Sequence, residues 1–463
     1  MSTQTLSPIV TVDPSTEQPL ERFEPFSAER IDAALERASR GYRAWRTTTF
    51  AERSKAMHKA SELLRARKTE YAALITHEMG KPIVESEAEI EKCAGACDYF
   101  ADGAEEYLRD LPHPSSATES YVGFRPLGVV LAVMPWNFPF WQVFRFGAAA
   151  IMAGNTTVLK HASNVTGCAL AIERLFADAG FPDVVAAVIV PGSEVAKLID
   201  DKRISAVTLT GSDATGSAVA AAAGKSLKKC VLELGGSDPF IVLGDADLDL
   251  AAQFAIRARF QNTGQSCIAA KRFIVESVVY DAFLERFVAQ AKALTYGDPS
   301  DRANKLGPMA RGDLRDALYN QIESTAAQGG KIATGGKKPA RKGYFLEPTI
   351  VSDVAPGMPM FEQETFGPAA AVVRARDVRD AIALANDSDF GLGGNLWTRD
   401  IERAKHLAGD METGNVFING MTASDSRLPF GGVKRSGYGR ELAEFGIREF
   451  TNVQTVWIGP ART

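Results

Sequence analysis

The stretch Ser120-Tyr-Val-Gly-Phe-Arg-Pro-Leu-Gly-Val-Val-Leu-Ala-Val133 decides the fold. It is strand-like and interrupted at Pro126 and Gly128. It therefore reads as a protruding hairpin followed by a buried strand over Val129–Met134, since proline cannot donate to a ladder and glycine marks a bend. Downstream, short apolar runs recur at Thr156–Leu159, Val184–Val190 and Ala206–Thr210, with helical stretches between them. The helical stretch Ala169–Ala179 ends at Gly180 with Pro182 beyond, a residue free to turn left-handed and then one that cannot continue a helix. This alternation predicts an α/β fold with a mostly parallel sheet covered on both faces, the usual architecture for nucleotide cofactors. Upstream, Ile31, Leu35, Ala38, Tyr42 and Trp45 recur at helical spacing, and helical patterns continue to about residue 108. A second strand and helix series begins near Pro239-Phe-Ile-Val-Leu243 and passes residue 420. No internal repeat, low-complexity tract or long linker is evident.

At 463 residues the chain is too long for one ordinary core and suggests two to four domains. Hydrophobic residues at 45% and charged residues at 24% are the balance of a globular protein. With 52 basic and 57 acidic residues the net charge is −5, which disfavours a nucleic-acid partner. The start, Met1 to Pro8, lacks the basic and apolar segments of a signal peptide, and no later run reaches the roughly 18 apolar residues that span a bilayer. A cytoplasmic protein without membrane contact is expected. The five cysteines, Cys93, Cys97, Cys168, Cys230 and Cys267, are odd in number and dispersed, which suggests reduced thiols. Cys93 and Cys97 stand one helical turn apart, but they share a stripe with Ile90, Phe100 and Tyr107, so core packing is expected and no metal site.

Two segments carry the chemistry: Val231-Leu-Glu-Leu-Gly-Gly236 and Gly264-Gln-Ser-Cys267. A thiolate adds to an aldehyde carbonyl, the thiohemiacetal can lose a hydride to an oxidised nicotinamide, and activated water must then release the acyl group. Cys267 suits the nucleophile and Glu233 the base. A lone cysteine is as readily a core residue, and a lone glutamate a buried partner of lysine. Around Cys267, however, the approach is small and polar, and Ala269-Ala270 resembles the start of a helix whose dipole would favour a thiolate. Glu233 lies between apolar residues and before two glycines, where partial desolvation would raise its proton affinity. There is no Gly-x-Gly-x-x-Gly fingerprint. Thr210-Gly-Ser-Asp-Ala-Thr-Gly216 follows a strand and could present a helix N-terminus to a phosphate, or be an ordinary turn.

From about residue 8 to residue 458 the chain resembles the aldehyde dehydrogenases. The carriers are Pro135-Trp-Asn-Phe-Pro139, Lys160, Thr210-Gly-Ser212, Glu233-Leu-Gly-Gly236, Gly264-Gln-Ser-Cys267, Glu364-Thr-Phe-Gly-Pro368 and Phe430-Gly-Gly-Val-Lys-Arg-Ser-Gly-Tyr-Gly-Arg-Glu441. The resemblance is strongest to bacterial succinate-semialdehyde dehydrogenases, in Trp136 to Arg145, Lys160 to Ser163 and Gly420 to Asp425. It implies an atypical Rossmann cofactor domain (1–115 and 133–235), an α/β catalytic domain (236–434) and oligomerisation elements (116–132 and 435–463). A homodimer or homotetramer is expected. Asn137 and the Cys267 N–H would form the oxyanion hole, and Glu233 would activate the deacylating water. Trp136, Gly211, Ser212, Leu234, Glu364 and Phe366 would hold the cofactor.

Many NAD-specific members have a glutamate where this chain has Ser163, so repulsion toward a 2′-phosphate is absent. With Lys160 and His161 alongside, the resemblance points to NADP, with NAD also possible. It further implies NAD(P)-dependent oxidation of a small-molecule aldehyde, succinate semialdehyde, to its acid. Arg145 is the expected carboxylate receiver, with Ser424 and then Arg427 as further donors; Arg145 could instead be a structural ion-pair partner. Open alternatives are oxidation of glutarate semialdehyde or of aliphatic aldehydes broadly, a coenzyme-A-acylating enzyme, against which Glu233 speaks, and a silent binding or structural member of the fold.

Overall fold

The computed structural model describes residues 7–460. Val129–Met134 lies inside a six-stranded sheet in which it is flanked by Thr156–His161 and Ile204–Thr210, both parallel to it. Beyond these lie Val185–Ala187 on one side and Lys229–Glu233 on the other, and the edge is closed by the short antiparallel strand Gly437–Tyr438. All six residues of Val129–Met134 are buried, and they alternate between two cores. Val130, Ala132 and Met134 pack with the helices Phe50–Ala66, Ile83–Tyr107 and Trp141–Met152, whereas Val129, Leu131 and Val133 pack with Ala28–Trp45 and Val195–Asp200. A strand covered on both faces has to be apolar at every position, and each buried aliphatic side chain contributes about 1.5–3 kcal/mol.

The second series forms a seven-stranded sheet, ordered Lys331–Thr334, Thr349–Ser352, Ala369–Ala375, Ala270–Glu276, Asp238–Val242, Gly393–Trp397 and Asn415–Ile418. It is parallel apart from its first pair. Its strands are likewise covered on two faces, with Phe240 and Val242 in one core and Ile241 and Leu243 in the other.

Pro126 and Gly128 separate two different sheets. Glu119–Pro126 pairs with Leu111–Pro112 and, over eight residues, with the C-terminal strand Thr451–Ile458. The expected hairpin therefore has a short partner upstream and a long one from the far end of the chain. Gly128 has φ of +143°, and a Cβ there would fall 2.1 Å from Ser205 Oγ, so the transfer between sheets needs glycine. Val129–Ala132, grouped by the resemblance with the oligomerisation elements, belong to the six-stranded sheet. Among the described residues no helix is long and apolar enough to cross a membrane.

Candidate active site

Cys267 is carried by an irregular turn between the helix Leu248–Phe260 and the strand Ala270–Glu276. Three successive residues, Asn262, Thr263 and Gly264, have φ of +55°, +54° and +73°. For the two non-glycine residues this conformation costs about 1 kcal/mol or more each, and it persists only where the surroundings impose it. Here they do. The Asn262 N–H donates to Glu85 Oε2 at 2.7 Å, its side-chain amide donates to the Asn137 and Gln265 carbonyls at 2.8 and 3.0 Å, and the Ala310 N–H donates to Gln265 Oε1 at 2.9 Å. Arg259, fully buried, ties the Gly264 carbonyl to that of Gly367 at 2.6 and 2.8 Å. A Cβ at Gly264 would lie 2.2 Å from Gly367 O, and one at Gly236 would lie 2.7 Å from Cys267 O.

The helix expected at Ala269-Ala270 is a strand. The β-branched and aromatic run after it, Phe273-Ile-Val275, pairs with two parallel neighbours, and tertiary pairing overrides the helix propensity of two alanines. No helix dipole therefore favours the thiolate. Burial pushes the Cys267 thiol up to about 11, with Glu364 and Glu233 adding to the rise and Arg145 and Lys271 opposing it.

Two cavities meet at Cys267. One, of about 400 Å³, is lined by Cys267 together with Trp136, Asn137, Gly211, Ser212, Leu234, Glu364 and Phe366. Trp136 and Phe366 meet edge to face, their centroids 5.7 Å apart. Ser212 caps the helix Asp213–Lys225, whose first turn opens beside the cavity. Glu364 accepts the Gly236 N–H at 3.0 Å and pairs with Lys271 at 3.3 Å; a Cβ at Gly235 would fall 2.6 Å from its other oxygen. Trp136 also borders an adjoining cavity of about 600 Å³, which contains Lys160 and Ser163. Arg311, which the sequence reading missed, lines both.

His161 does not join that cation pair. It is buried, its Nε2 meets the Pro139 carbonyl at 2.8 Å and its Nδ1 accepts the Ala162 N–H at 2.9 Å. Burial lowers its pKa to about 4, so it is neutral and serves to fix the turn. The expectation that it stands beside a phosphate fails because the strand Thr156–His161 ends inside the core.

Asn137 is buried, and its amide donates to Gln265 O at 3.2 Å; its second N–H proton is left for a ligand. Glu233 is buried at the end of its strand, and neither carboxyl oxygen has a hydrogen-bond partner among the described residues. Burial raises its pKa well above the ordinary carboxylate range; Arg145 opposes this and Glu441 reinforces it. The lysine-paired core glutamate considered above is thus not what this environment provides.

The second cavity, of about 170 Å³, is also lined by Cys267. Arg145 and Ser424 line it. Arg145, however, sits on the wholly buried helix Trp141–Met152, where its Nε pairs with Glu441 and one terminal nitrogen donates to Thr210 Oγ1 at 3.1 Å. It is an ion-pair partner that also faces the cavity. Arg427 lies outside the lining; it is exposed and forms a fork with Asp425 in its own loop, because those residues are two apart on the surface. Lys92 and Gln142 are lining residues the sequence reading missed. The signal for Lys92 was present as polar residues at helical spacing, Glu85, Glu89 and Lys92, on a helix whose other stripe holds the buried Cys93, Cys97 and Phe100. Those two cysteines pack in the core as expected.

Comparison with known proteins follows the same lines. Residues 1–456 match the model of the aldehyde dehydrogenase family. The succinate semialdehyde dehydrogenase [NAD(P)+] Sad of Escherichia coli strain K12 is 49% identical over 449 residues, 97% of each chain. The succinate-semialdehyde dehydrogenase [NADP(+)] of Mycolicibacterium paratuberculosis is 48% identical over 461 residues, 98% of each. Among solved structures, succinic semialdehyde dehydrogenase from Streptococcus pyogenes, in complex with NADP+ as the cofactor, superposes with a TM-score of 0.95 at 37% identity, covering 98% of this chain and all of the other.

Proposed function

The chain belongs to the aldehyde dehydrogenase family, and we propose that it oxidises succinate semialdehyde to succinate with NADP, and less readily NAD, through a thioester on Cys267. The observation that carries this reading is that Cys267 forms a wall common to two cavities, one large and glycine-lined, the other small and lined by Lys92 and Arg145. The substrates named for the relatives, with identities near one half along the whole chain, support the same choice.

The residues present fit the dinucleotide. Lys160 and Ser163 offer a cation and a hydroxyl to a 2′-phosphate where a carboxylate would repel it. Gly235 leaves room for Glu364, whose position at the cavity wall suits a ribose, and the helix behind Ser212 suits a phosphate. When bound, the oxidised nicotinamide supplies the two-electron acceptor. The chain's own residues do the rest. Cys267 Sγ gives its proton to solvent and adds to the aldehyde carbon, and the oxyanion so formed takes the second N–H of Asn137 and the Cys267 N–H. The acyl group then stays on sulfur until Glu233, whose raised proton affinity suits a base once its own proton has gone to solvent, takes a proton from the attacking water and the water oxygen displaces Cys267 Sγ.

A homodimer or homotetramer accompanies this reading; the exposed Val453, Trp457 and Ile458 of the C-terminal strand support it. The deciding experiment is a steady-state panel of succinate semialdehyde, glutarate semialdehyde and butanal with each cofactor. We expect kcat/KM for succinate semialdehyde to exceed that for butanal at least tenfold and NADP to be preferred. Equal efficiencies for the two aldehydes would overturn the substrate assignment.

A further inference from the structure

Four charged side chains line the small cavity beside Cys267, and three of them are answered within the protein. Glu89 is paired with Lys81 and accepts the N–H groups of Phe140 and Trp141, each at 2.9 Å. Arg145 is paired with Glu441. Glu85 accepts the Asn262 N–H, and burial raises its carboxyl pKa to about 7, so that it carries only part of a charge at neutral pH.

Lys92 is the fourth. It keeps an exposed side chain at the cavity, donates to Ser424 Oγ at 2.7 Å and holds its ammonium 4.2 Å from the Trp141 ring centroid. Burial and then the nearby Arg145 lower its pKa to about 8, so it is still mostly protonated at neutral pH, and the two carboxylates whose charge it feels, Glu89 and Asp425, are engaged by Lys81 and Arg427. The ammonium is steadied by a hydroxyl and an aromatic face, neither of which cancels its charge. Ser424, accepting from both Lys92 and the Trp141 indole at 3.2 Å, keeps its own O–H free to donate. One uncompensated cation, an adjacent free hydroxyl donor and a thiol in the same small cavity describe a receptor for a short molecule with an aldehyde at one end and an anion at the other.

We propose that Lys92 selects anionic aldehydes, its ammonium receiving the distal carboxylate, with the Ser424 hydroxyl as second donor, while the aldehyde carbon reaches Cys267. This rests on the succinate semialdehyde reading and adds to it a residue from a helix that supplies none of the catalytic groups. Because Arg145 is held by Glu441 and Thr210, Lys92 carries the discrimination, and because it is exposed and in no ion pair among the described residues its removal leaves no buried charge behind.

The test compares wild type with Lys92→Met, Lys92→Gln and Lys92→Arg on succinate semialdehyde and butanal at saturating cofactor. Lys92→Met and Lys92→Gln should each raise KM for succinate semialdehyde tenfold or more, leave KM for butanal and both kcat values within about twofold, and leave the KM for NADP unchanged. Lys92→Arg should recover the wild-type KM to within threefold. An unchanged KM for succinate semialdehyde in both neutral variants, or equal increases for both aldehydes, would overturn the assignment while leaving the wild-type preference, and with it the substrate reading, intact. A wild type that does not prefer succinate semialdehyde to butanal would overturn both.

Discussion

The two cavities that meet at Cys267 are built in different ways. On the cofactor side the walls come largely from short contiguous turns, Pro135 to Asn137, Thr210 to Ser212, Leu234 to Gly235 and Glu364 to Phe366, where glycines let backbone and carboxylate approach closely. On the substrate side the polar groups come from separate elements, Lys92 on Ile83–Tyr107, Arg145 on Trp141–Met152 and Ser424 in the loop after Asn415–Ile418. A shared ligand can be met by a fixed backbone shape; a particular ligand is met by a few side chains that differ from one enzyme to the next. Changes on the first side should therefore alter cofactor use, changes at Lys92 or Ser424 on the second substrate choice, changes at the ion-paired Arg145 stability, and changes at the junction turnover.

The junction gives the largest effect. Cys267→Ala should reduce turnover on the order of 10⁴-fold or more while cofactor affinity, followed by fluorescence titration, stays within about twofold. Retention of a tenth of the activity would remove Cys267 from the chemistry. Next comes Arg145→Met, which strands Glu441 and Glu233 as buried carboxyls without their cation. A loss of about 3–5 kcal/mol is expected, seen as a lower denaturant midpoint, with both aldehydes affected alike. Undiminished stability with only the semialdehyde impaired would instead make Arg145 the carboxylate receiver.

Glu233→Gln should lower steady turnover about 100-fold or more and leave one rapid turnover per site, since an amide cannot take a proton from water. Rapid steady turnover without a burst would show that another base serves. The smallest effect belongs to the cofactor side. Ser163→Glu should shift the NADP to NAD preference about tenfold toward NAD, a modest change because the position is exposed and water screens the new charge. An unchanged ratio of kcat/KM values would detach Ser163 from the phosphate site.

The same contrast decides what could be read before the structure. Val129–Met134, Ala206–Thr210 and the helix Ala28–Trp45 were legible because one period, strand or helix, dominates each of them. The cofactor wall was legible because its residues are neighbours in sequence. Lys92 was not, since its meaning depends on Ser424, 332 residues away, and on the absence of a free carboxylate between them. His161 was misread because a strand end can lie in the core as well as at a surface. Arg427 was misread because a nearby aspartate satisfied it first. The turn at Asn262–Gly264 was invisible too, as left-handed backbone at two non-glycine residues follows from what surrounds them.

The raised pKa of Cys267 has a consequence for the enzyme at rest. A thiol drawn up to about 11 is almost entirely protonated at neutral pH, and peroxides and alkylating electrophiles react with thiolates. The nucleophile on which the proposed reaction depends is thus kept chemically quiet between turnovers. The same desolvation that makes it a reluctant nucleophile lowers its reactivity toward such reagents, and leaves to the bound ligands the task of waking it.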